Sequence, residues 1–233
     1  MDEKEATKIL GKIYKVSVEK DIFIDSHHKN TKNNSKINVK GFGFYDKKNP
    51  EQEKGNRYYL ELEINELEKK EEKKLIVIMM NPSKTYNNKI DASVANATRL
   101  AYKAKEYSKI VILNSFPLID GNGKTASKTF KKKVNDNENN EINNNLKFIE
   151  EYIKQNLQET YLIAWGDKVE NRSKLIDLIK QLKYIKTYYG ITNKGNPYHC
   201  NQLIENKYKA ITNFKNLISL EIDDNKFLIK NIL

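Results

Sequence analysis

A run of six consecutive apolar residues at positions 75–80 constrains the fold of this chain more than any other feature of the sequence. Six residues are too few for a typical helix, and an apolar side chain at every position is typical of a strand buried on both faces of a sheet. Similar runs occur at residues 110–113 and 161–165, and a weaker fourth lies near residues 184–189. The sequence therefore predicts four strands inside one sheet.

Segments compatible with helices separate these runs, at residues 92–107, 142–157 and 168–182. Strands that alternate with helices are typical of a parallel sheet with helices on both faces. We therefore predict an α/β fold, a three-layer α/β/α domain around a central, mostly parallel four-stranded sheet. The polar stretch 120–145 is too long for a simple connection, and we predict a long loop there.

Two further pairs of short strands are predicted at the ends of this core. Residues 37–45 and 58–64 alternate between apolar and polar side chains, which indicates an antiparallel hairpin. Residues 217–222 and 227–232 lie on either side of a polar turn and indicate a second hairpin that extends an edge of the sheet.

The N-terminal region is weakly patterned over its first 35 or so residues, and a polar loop is expected around His27 and His28. We predict two parts for the chain. Residues 1–70 form an N-terminal extension with a hairpin, packed on the main domain, which covers residues 71–233.

The charge balance favours a polyanionic partner. The chain carries 42 Lys and Arg against 31 Asp and Glu, a formal net charge of +11, and DNA is the partner we predict. A Lys-rich and Asn-rich composition encoded by an AT-rich genome gives the same excess. Charge alone therefore does not decide the function.

Cysteine and histidine are scarce in this sequence. The single Cys200 excludes an intramolecular disulfide, and with three histidines in total the usual Cys/His zinc sites are excluded as well. We predict no metal site and no cofactor, and a reducing cytoplasm as the location. No apolar run reaches the length of a membrane-spanning helix, so no membrane partner is expected.

Polar motifs follow each of the four predicted strands. In an open parallel sheet, ligands bind beyond the carboxyl ends of the strands, so these motifs are candidates for a site. Pro, Gly and Asn also end strands for purely conformational reasons, and each motif taken alone has that explanation. The motifs are Asn81-Pro82-Ser83, Asn114-Ser115-Phe116-Pro117, Gly166-Asp167 and Gly195-Asn196-Pro197-Tyr198-His199.

Together, the Asn-Pro-Ser, Leu-Asn, Ala-Trp-Gly and Pro-x-His motifs resemble a bacterial family known only as a domain of unknown function. Their order is also similar to that in the uracil-DNA glycosylase superfamily. Members of that superfamily carry an Asp or Asn before Pro, a Leu-Leu-Leu-Asn strand, a Leu-Leu-Trp-Gly strand and a His-Pro-Ser-Pro-Leu loop. The resemblance runs from about Leu75 to Leu203. It implies an enzyme that flips a nucleotide out of the DNA stack.

The resemblance implies a role for four residues, and Asp91, ten residues after Asn81, is a further candidate. Asn81 corresponds to the residue that positions the attacking water, and Asp91 is an alternative base. Asn114 corresponds to the residue that reads the edge of a pyrimidine with two hydrogen bonds. His199 corresponds to the histidine that stabilises negative charge on the departing base. Leu203 corresponds to the wedge that enters the base stack.

Other residues of these motifs complete the predicted base pocket. Pro82, Ser83 and Phe116 are predicted to contact the base. Members of the superfamily that are specific for uracil carry Tyr after the first-strand Pro, where it closes the pocket against a substituent at carbon 5. Ser83 leaves that side open, which favours a larger pyrimidine such as hydroxymethylated or glycosylated cytosine. His199 is followed by Cys200 instead of Pro, so the phosphate contacts of that loop are in doubt.

Lysines near the motifs are candidates for contacts with the DNA backbone, although a run of lysines is more often a solvated face. They are Lys84, Lys168, Lys194 and the cluster at residues 131–133.

The leading hypothesis is a monofunctional, monomeric DNA glycosylase that excises a pyrimidine and leaves an abasic site, in DNA repair or in defence against phage DNA. The main alternative is a non-catalytic module that holds a flipped base or nucleotide in the same pocket, which the amide at position 81 favours. A nuclease has less support, because no clustered carboxylates suggest a magnesium site.

Overall fold

The computed structural model describes residues 1–23, 36–64, 73–136, 140–187, 191–199 and 217–230. Within these segments the chain forms nine strands and five helices. The strands are β1 (Tyr14–Phe23), β2 (Lys36–Tyr45), β3 (Arg57–Ile64), β4 (Lys74–Met79), β5 (Lys109–Asn114), β6 (Thr160–Ala164), β7 (Tyr184–Thr187), β8 (Ile218–Asp223) and β9 (Lys226–Ile229). The helices are α1 (Glu3–Leu10), α2 (Ala92–Ala104), α3 (Gly123–Asn135), α4 (Asn140–Gln155) and α5 (Arg172–Ile179).

All nine strands belong to one sheet, in the order β1-β2-β3-β5-β4-β6-β7-β8-β9. Strands β5, β4, β6 and β7 run parallel to one another, whereas the strands on both sides of them pair antiparallel. The predicted α/β class is confirmed. The predicted four-stranded sheet is wrong in extent, because the flanking strands pair with the open edges of β5 and β7 and continue the sheet.

Helices cover both faces of the sheet. Leu75 and Val77 of β4 lie in a buried apolar cluster with α2, whereas Ile76 and Ile78 lie in a second cluster with α1, α3, α4 and α5. Successive side chains of a strand point to opposite faces, so a strand covered on both faces needs apolar residues at every position. This explains the unbroken apolar run of β4.

The connections of the parallel strands create a crevice at one end of the sheet. From β4 the chain passes through α2 to β5 on one side, and from β6 it passes through α5 to β7 on the other side. The neighbouring strands β4 and β6 thus send their chains in opposite directions. Such a switch point leaves a crevice beyond the carboxyl ends of the strands, where ligands bind in open α/β sheets.

Both predicted hairpins are confirmed, since β2 pairs with β3 and β8 pairs with β9. Two elements near the N-terminus, α1 and β1, were not predicted. Strand β1 lies at the edge of the sheet and buries only Val18 and Ile22, so its sequence carries little alternation. The polar loop predicted around His27 and His28 lies outside the described residues, and a domain boundary at residue 70 stays a prediction.

The long loop predicted over residues 120–145 is wrong, because helix α3 and the first turns of α4 occupy this stretch. Helix α3 buries only Ala126 and Phe130 among its described side chains, so its sequence resembles a polar loop. None of the helices in the described segments is both long and apolar enough to cross a membrane.

Candidate functional site

A cleft of about 680 Å³ opens beyond the carboxyl ends of β4, β5 and β6. It lies at the crevice that the divergent connections of β4 and β6 create. The loops after all three strands, the first turn of α2 and the segment before residue 200 contribute to its wall. The lining residues are Met80, Asn81, Ser83, Asp91, Ala92, Ser93, Asp120, Gly121, Trp165, Gly166, Asp167, Lys168, Lys194 and His199.

The side-chain amide of Asn81 is held in one orientation. Its Nδ2 donates to the backbone oxygen of Asp120 at 2.7 Å and to that of Pro82 at 3.1 Å. If the amide were turned the other way, its oxygen would face two carbonyl oxygens, which cannot donate a hydrogen bond. The atom that points away from these carbonyls is therefore the acceptor, Oδ1. No described residue donates to Asn81 Oδ1, and this oxygen is therefore available to a water or a ligand in the cleft.

Backbone hydrogen bonds fix the loops on which Asn81 depends. The amides of Ser115 and Phe116 donate to Met79 and Met80 oxygens at 2.8 and 2.9 Å, and Asp120 N donates to Pro82 O at 3.0 Å. The loop after β5 is thereby tied to the loop after β4. We infer a rigid wall on this side of the cleft, since the atoms that orient Asn81 belong to the same network.

Asp91 begins helix α2 as its N-cap. One carboxylate oxygen accepts from the backbone amides of Ser93 and Val94 at 2.8 and 3.2 Å, and the other accepts from the Thr85 hydroxyl at 2.8 Å. These three donors hold the carboxylate in place at the start of the helix. Asp91 therefore contributes a fixed negative charge to the cleft and a cap to α2.

His199 lines the cleft within electrostatic range of both Asp91 and Lys168. Burial lowers its pKa below 6.5, the nearby Lys168 lowers it further, and the Asp91 carboxylate opposes this shift. The neutral imidazole is therefore the main form at pH 7. A neutral imidazole carries one N–H donor and one acceptor nitrogen.

The segment that carries His199 is anchored next to β6. Gly166 N donates to Pro197 O at 3.0 Å, and the Asp167 carboxylate accepts from the hydroxyl of Thr192 and from the amide of Asn196. Gly166 has a φ of 71°, a left-handed conformation that glycine adopts without strain. The Trp-Gly-Asp sequence after β6 thus holds the loop before His199 in position.

One side of the cleft is formed by small residues. A Cβ atom built on Gly121 would lie 3.8 Å from Ser83 Oγ, so these two residues face each other across the loops after β4 and β5. Both line the cleft. Neither residue places a large side chain in this part of the wall.

Of the residues predicted from the sequence, the cleft brings together Asn81, Ser83, Asp91, Lys168, Lys194 and His199. Pro82 and Phe116 are buried, and Phe116 packs edge-on against Phe130 of α3, with the ring centres 5.2 Å apart. Lys84 is exposed and does not line the cleft. Leu203 lies outside the described residues.

Asn114 is buried at the end of β5 and does not line the cleft. Its Oδ1 accepts from Arg57 Nη2 at 3.2 Å, while its Nδ2 has no partner among the described residues. Arg57 itself is only 1% exposed, and its Nε and Nη1 are likewise without a partner in the described part of the chain. This buried arginine was not predicted, because a single Arg at the start of a strand carries no signal of burial.

The sequence also did not identify Asp120, Gly121 or the first turn of α2 as parts of the site. Asp120 and Gly121 follow the end of β5 by several residues, beyond the motif at residues 114–117. Within the described segments, no group of three or more His, Cys, Asp or Glu side chains is arranged to hold a metal ion.

Comparison with known families gives a match to part of the chain. Residues 57–200 match a family described as "Protein of unknown function (DUF1643)". The matched segment contains every residue that lines the cleft. Neither the curated proteins nor the solved structures give a match. The expected resemblance to a family of unknown function is confirmed, and because the match covers more than half of the sequence, the chain belongs to the DUF1643 family.

Proposed function

We propose that this protein is a DNA glycosylase, related to the uracil-DNA glycosylase superfamily, that excises a flipped-out pyrimidine and leaves an abasic site. One observation carries the proposal. Asn81 and His199, which lie far apart in the sequence, line the same cleft, and the Asn81 amide is held so that its oxygen remains an acceptor. An oriented acceptor and a neutral imidazole are the two groups that this reaction uses.

In the proposed reaction, Asn81 Oδ1 accepts a hydrogen bond from a water molecule and orients it toward the anomeric carbon. The N-glycosidic bond breaks first, and its electron pair leaves with the base. The water oxygen then bonds to the oxocarbenium-like sugar and gives up one proton to the solvent, and the departing base anion takes up one proton from the solvent. An amide is not a general base at neutral pH, so Asn81 acts by orientation and the Asp91 carboxylate stabilises the positive sugar.

His199 acts on the departing base. Burial lowers its pKa, so at neutral pH it offers an N–H donor without carrying a charge of its own. A fixed donor aimed at a developing anion contributes on the order of 3 kcal/mol to the lowering of the barrier. The nearby Lys168 adds positive potential on the same side of the cleft.

The substrate is a modified pyrimidine, such as hydroxymethylated or glycosylated cytosine. Ser83 and Gly121 leave one side of the cleft open, and the cleft volume of about 680 Å³ exceeds what an unmodified base needs. Lys168 and Lys194 contact the DNA backbone at the rim, and Lys84 contacts it outside the cleft. The base-reading role of Asn114 and the wedge role of Leu203 stay parts of the proposal that the described cleft does not support directly.

A second candidate is a module that binds a flipped base or nucleotide without cleaving it. The amide at position 81 favours this candidate, because a carboxylate would be the stronger base for activating water. The two candidates share the cleft and differ only in chemistry.

The experiment is a base-release assay without metal. The protein is incubated in EDTA with duplexes that carry uracil, 5-hydroxymethylcytosine or glucosylated cytosine, then treated with alkali to break the strand at abasic sites. Strand breaks on a modified duplex, and none on the unmodified duplex, are expected. DNA binding without breaks on any substrate would support the binding module and reject the glycosylase. Preference for uracil would favour repair, and preference for modified cytosines would favour defence.

A further inference from the structure

Helix α3 starts at the rim of the cleft. The residues just before it, Asp120 and Gly121, line the cleft, and Asn122 caps the helix by accepting from Lys124 N at 2.9 Å. Ser127 of α3 also donates a hydrogen bond to Glu170, in the loop that begins with the cleft residue Lys168. The helix is therefore fixed to two of the loops that form the cleft.

The outer face of α3 carries a stripe of four exposed lysines, Lys124, Lys128, Lys131 and Lys132. At 100° per residue these four positions fall within a sector of about 100°, while the buried Ala126 and Phe130 lie on the opposite side. None of the four has an ion pair with any described residue, whereas Lys133, outside the stripe, pairs with Glu141 at 3.0 Å. We call these four residues the α3 lysine stripe.

Much of the stripe is unfavourable for the helix itself. Helix α3 contains no acidic residue, and Lys124 lies in the first turn, where the helix dipole favours negative charge. The i,i+4 and i,i+3 spacings within the stripe bring like charges together, and each such pair costs about 0.2–0.5 kcal/mol. The helix dipole favours a positive charge only at Lys132, in the last turn. Stability of the helix therefore gives no reason for the other three lysines, and a polyanionic partner would offset their cost.

The dimensions of the stripe fit a DNA strand. From Lys124 to Lys132 the helix rises about 12 Å. One strand of B-DNA carries about three to four phosphates over the same axial length. The four lysines thus match in number the phosphates of one backbone segment of this length.

We propose that the α3 lysine stripe is the main docking surface for the DNA backbone and directs the strand toward the cleft. This proposal rests on the proposed function for the identity of its partner as DNA, but it concerns binding and not base release. It assigns the largest share of the phosphate contacts to α3 instead of to Lys84, Lys168 and Lys194.

The test compares two variants that remove the same charge. In the first, all four lysines of the stripe are replaced by Gln, which favours helix about as well as Lys. In the second, four exposed lysines on other surfaces are replaced by Gln: Lys20, Lys147, Lys174 and Lys183. The affinity for an unmodified 20-base-pair duplex is measured by fluorescence anisotropy at several salt concentrations, after circular dichroism has verified folding.

The stripe variant is expected to bind at least tenfold more weakly at about 0.1 M salt, and the control variant within about twofold of the wild type. Each lost phosphate contact reduces the slope of log affinity against log salt by about 0.9, so the stripe variant should lose about 3 to 4 in slope. Equal weakening of both variants, no weakening of either, or no binding by the wild type would each overturn the proposal. Base release is measured separately on the wild type at saturating DNA. If the protein releases no base but its affinity depends on the stripe, the glycosylase proposal is rejected and the docking proposal stands.

Discussion

The two ends of the parallel strands use their polar residues in different ways. At the amino ends, charges are paired: Lys109 contacts Glu63 at 3.3 Å, and Lys74 contacts Glu159 at 3.9 Å. At the carboxyl ends, Lys168 and Lys194 line the cleft without an ion pair to any described residue, and Asn81 keeps its oxygen free of described donors.

The difference indicates which end of the sheet is built for a ligand. The charged side chains Lys109, Glu63, Lys74 and Glu159 at the amino ends pair within the protein, so they serve the fold. At the carboxyl ends, hydrogen bonds fix the loops and the orientation of Asn81, yet acceptors and cations still face the open cleft. A site that is held rigid by some of its groups while others remain unpaired is prepared to bind a partner.

The largest expected effect is a loss of activity on substitution at the carboxyl ends of the parallel strands, with no loss at the amino ends. Asn81→Ala and His199→Ala should each reduce base release by about 10²–10³-fold, since each removes a group oriented toward developing charge or toward the attacking water. Glu159→Gln at the amino end should leave the rate unchanged. These roles belong to the proposed reaction. Single-turnover rates at saturating DNA give the comparison, and thermal melts verify that each variant is folded. Full activity in both cleft variants would contradict the assigned roles.

A change of substrate preference tests the open side of the cleft. Ser83→Tyr adds a ring opposite Gly121, and steric conflict with a bulky substituent should cost about 1–3 kcal/mol, a loss of roughly tenfold or more on modified bases. Ser83→Ala, which adds no bulk, should retain the wild-type preference. The ratio of rates on modified and unmodified duplexes is the measurement, and an unaltered ratio in Ser83→Tyr would reject the open-wall explanation.

Asp91 both lines the cleft and caps α2, so we expect its substitution to lower the stability of the protein moderately. Asp91→Ala removes the cap of α2 and should lower the free energy of unfolding by about 1 kcal/mol, whereas Asp91→Asn retains a cap acceptor and should cost less. Urea denaturation distinguishes the two variants. If both lose the same stability, the negative charge and not the cap is the important property.

The lowered pKa of His199 predicts a dependence of stability on pH. Because the pKa is lower in the folded protein than the usual 6.5, the unfolded chain binds the proton more readily. The contribution of His199 is fully present above the unfolded pKa and is lost as the pH falls through 6.5 toward the folded pKa. Between about pH 7.5 and pH 5, the wild type should lose more stability than His199→Gln. The free energy of unfolding of both proteins is measured by urea denaturation at the two pH values. An equal loss in the two proteins would refute this expectation.

The smallest effect is expected at the amino ends. Glu63→Gln breaks the ion pair with Lys109. The Glu63 side chain is about half exposed, and exposed ion pairs contribute less than about 1 kcal/mol to the free energy of unfolding. Base release and DNA affinity should not change. A loss of activity in this variant would remove the contrast between the two ends of the sheet.

Much of the central sheet could be predicted from the sequence because burial on both faces leaves an unbroken apolar pattern. The runs at β4, β5 and β6 carry this signal, and the connecting helices α2 and α4 carry their own periodicity. Helix α1 and strand β1 have no comparable apolar run, and the capping box of α1 at Asp2 and Glu5 was not recognised. Their buried residues are few, and an element that touches the core at two positions, as β1 does with Val18 and Ile22, has no clear period.

The candidate site was only partly predictable. Asn81 and Ser83 directly follow a recognisable strand, so their positions at the cleft could be inferred. Arg57, buried beside Asn114, could not be inferred, because its burial depends on the pairing of β3 with β5. The lysines at residues 131–133 were recognised as basic, but their division between an exposed stripe and a paired Lys133 requires helix α3.

The sequence by itself determined the α/β class and the strand ends that carry polar motifs. Both can be recognised from short stretches of consecutive residues, because apolar runs mark buried strands and turn residues mark their ends. The tertiary structure decided which of these motifs share a cleft. In the folded protein, Asn81 links the loops after β4 and β5 by a hydrogen bond, and Asn114 is buried against Arg57. Gly121 lies opposite Ser83. These relations depend on strand order and on contacts between distant segments, which no local pattern contains.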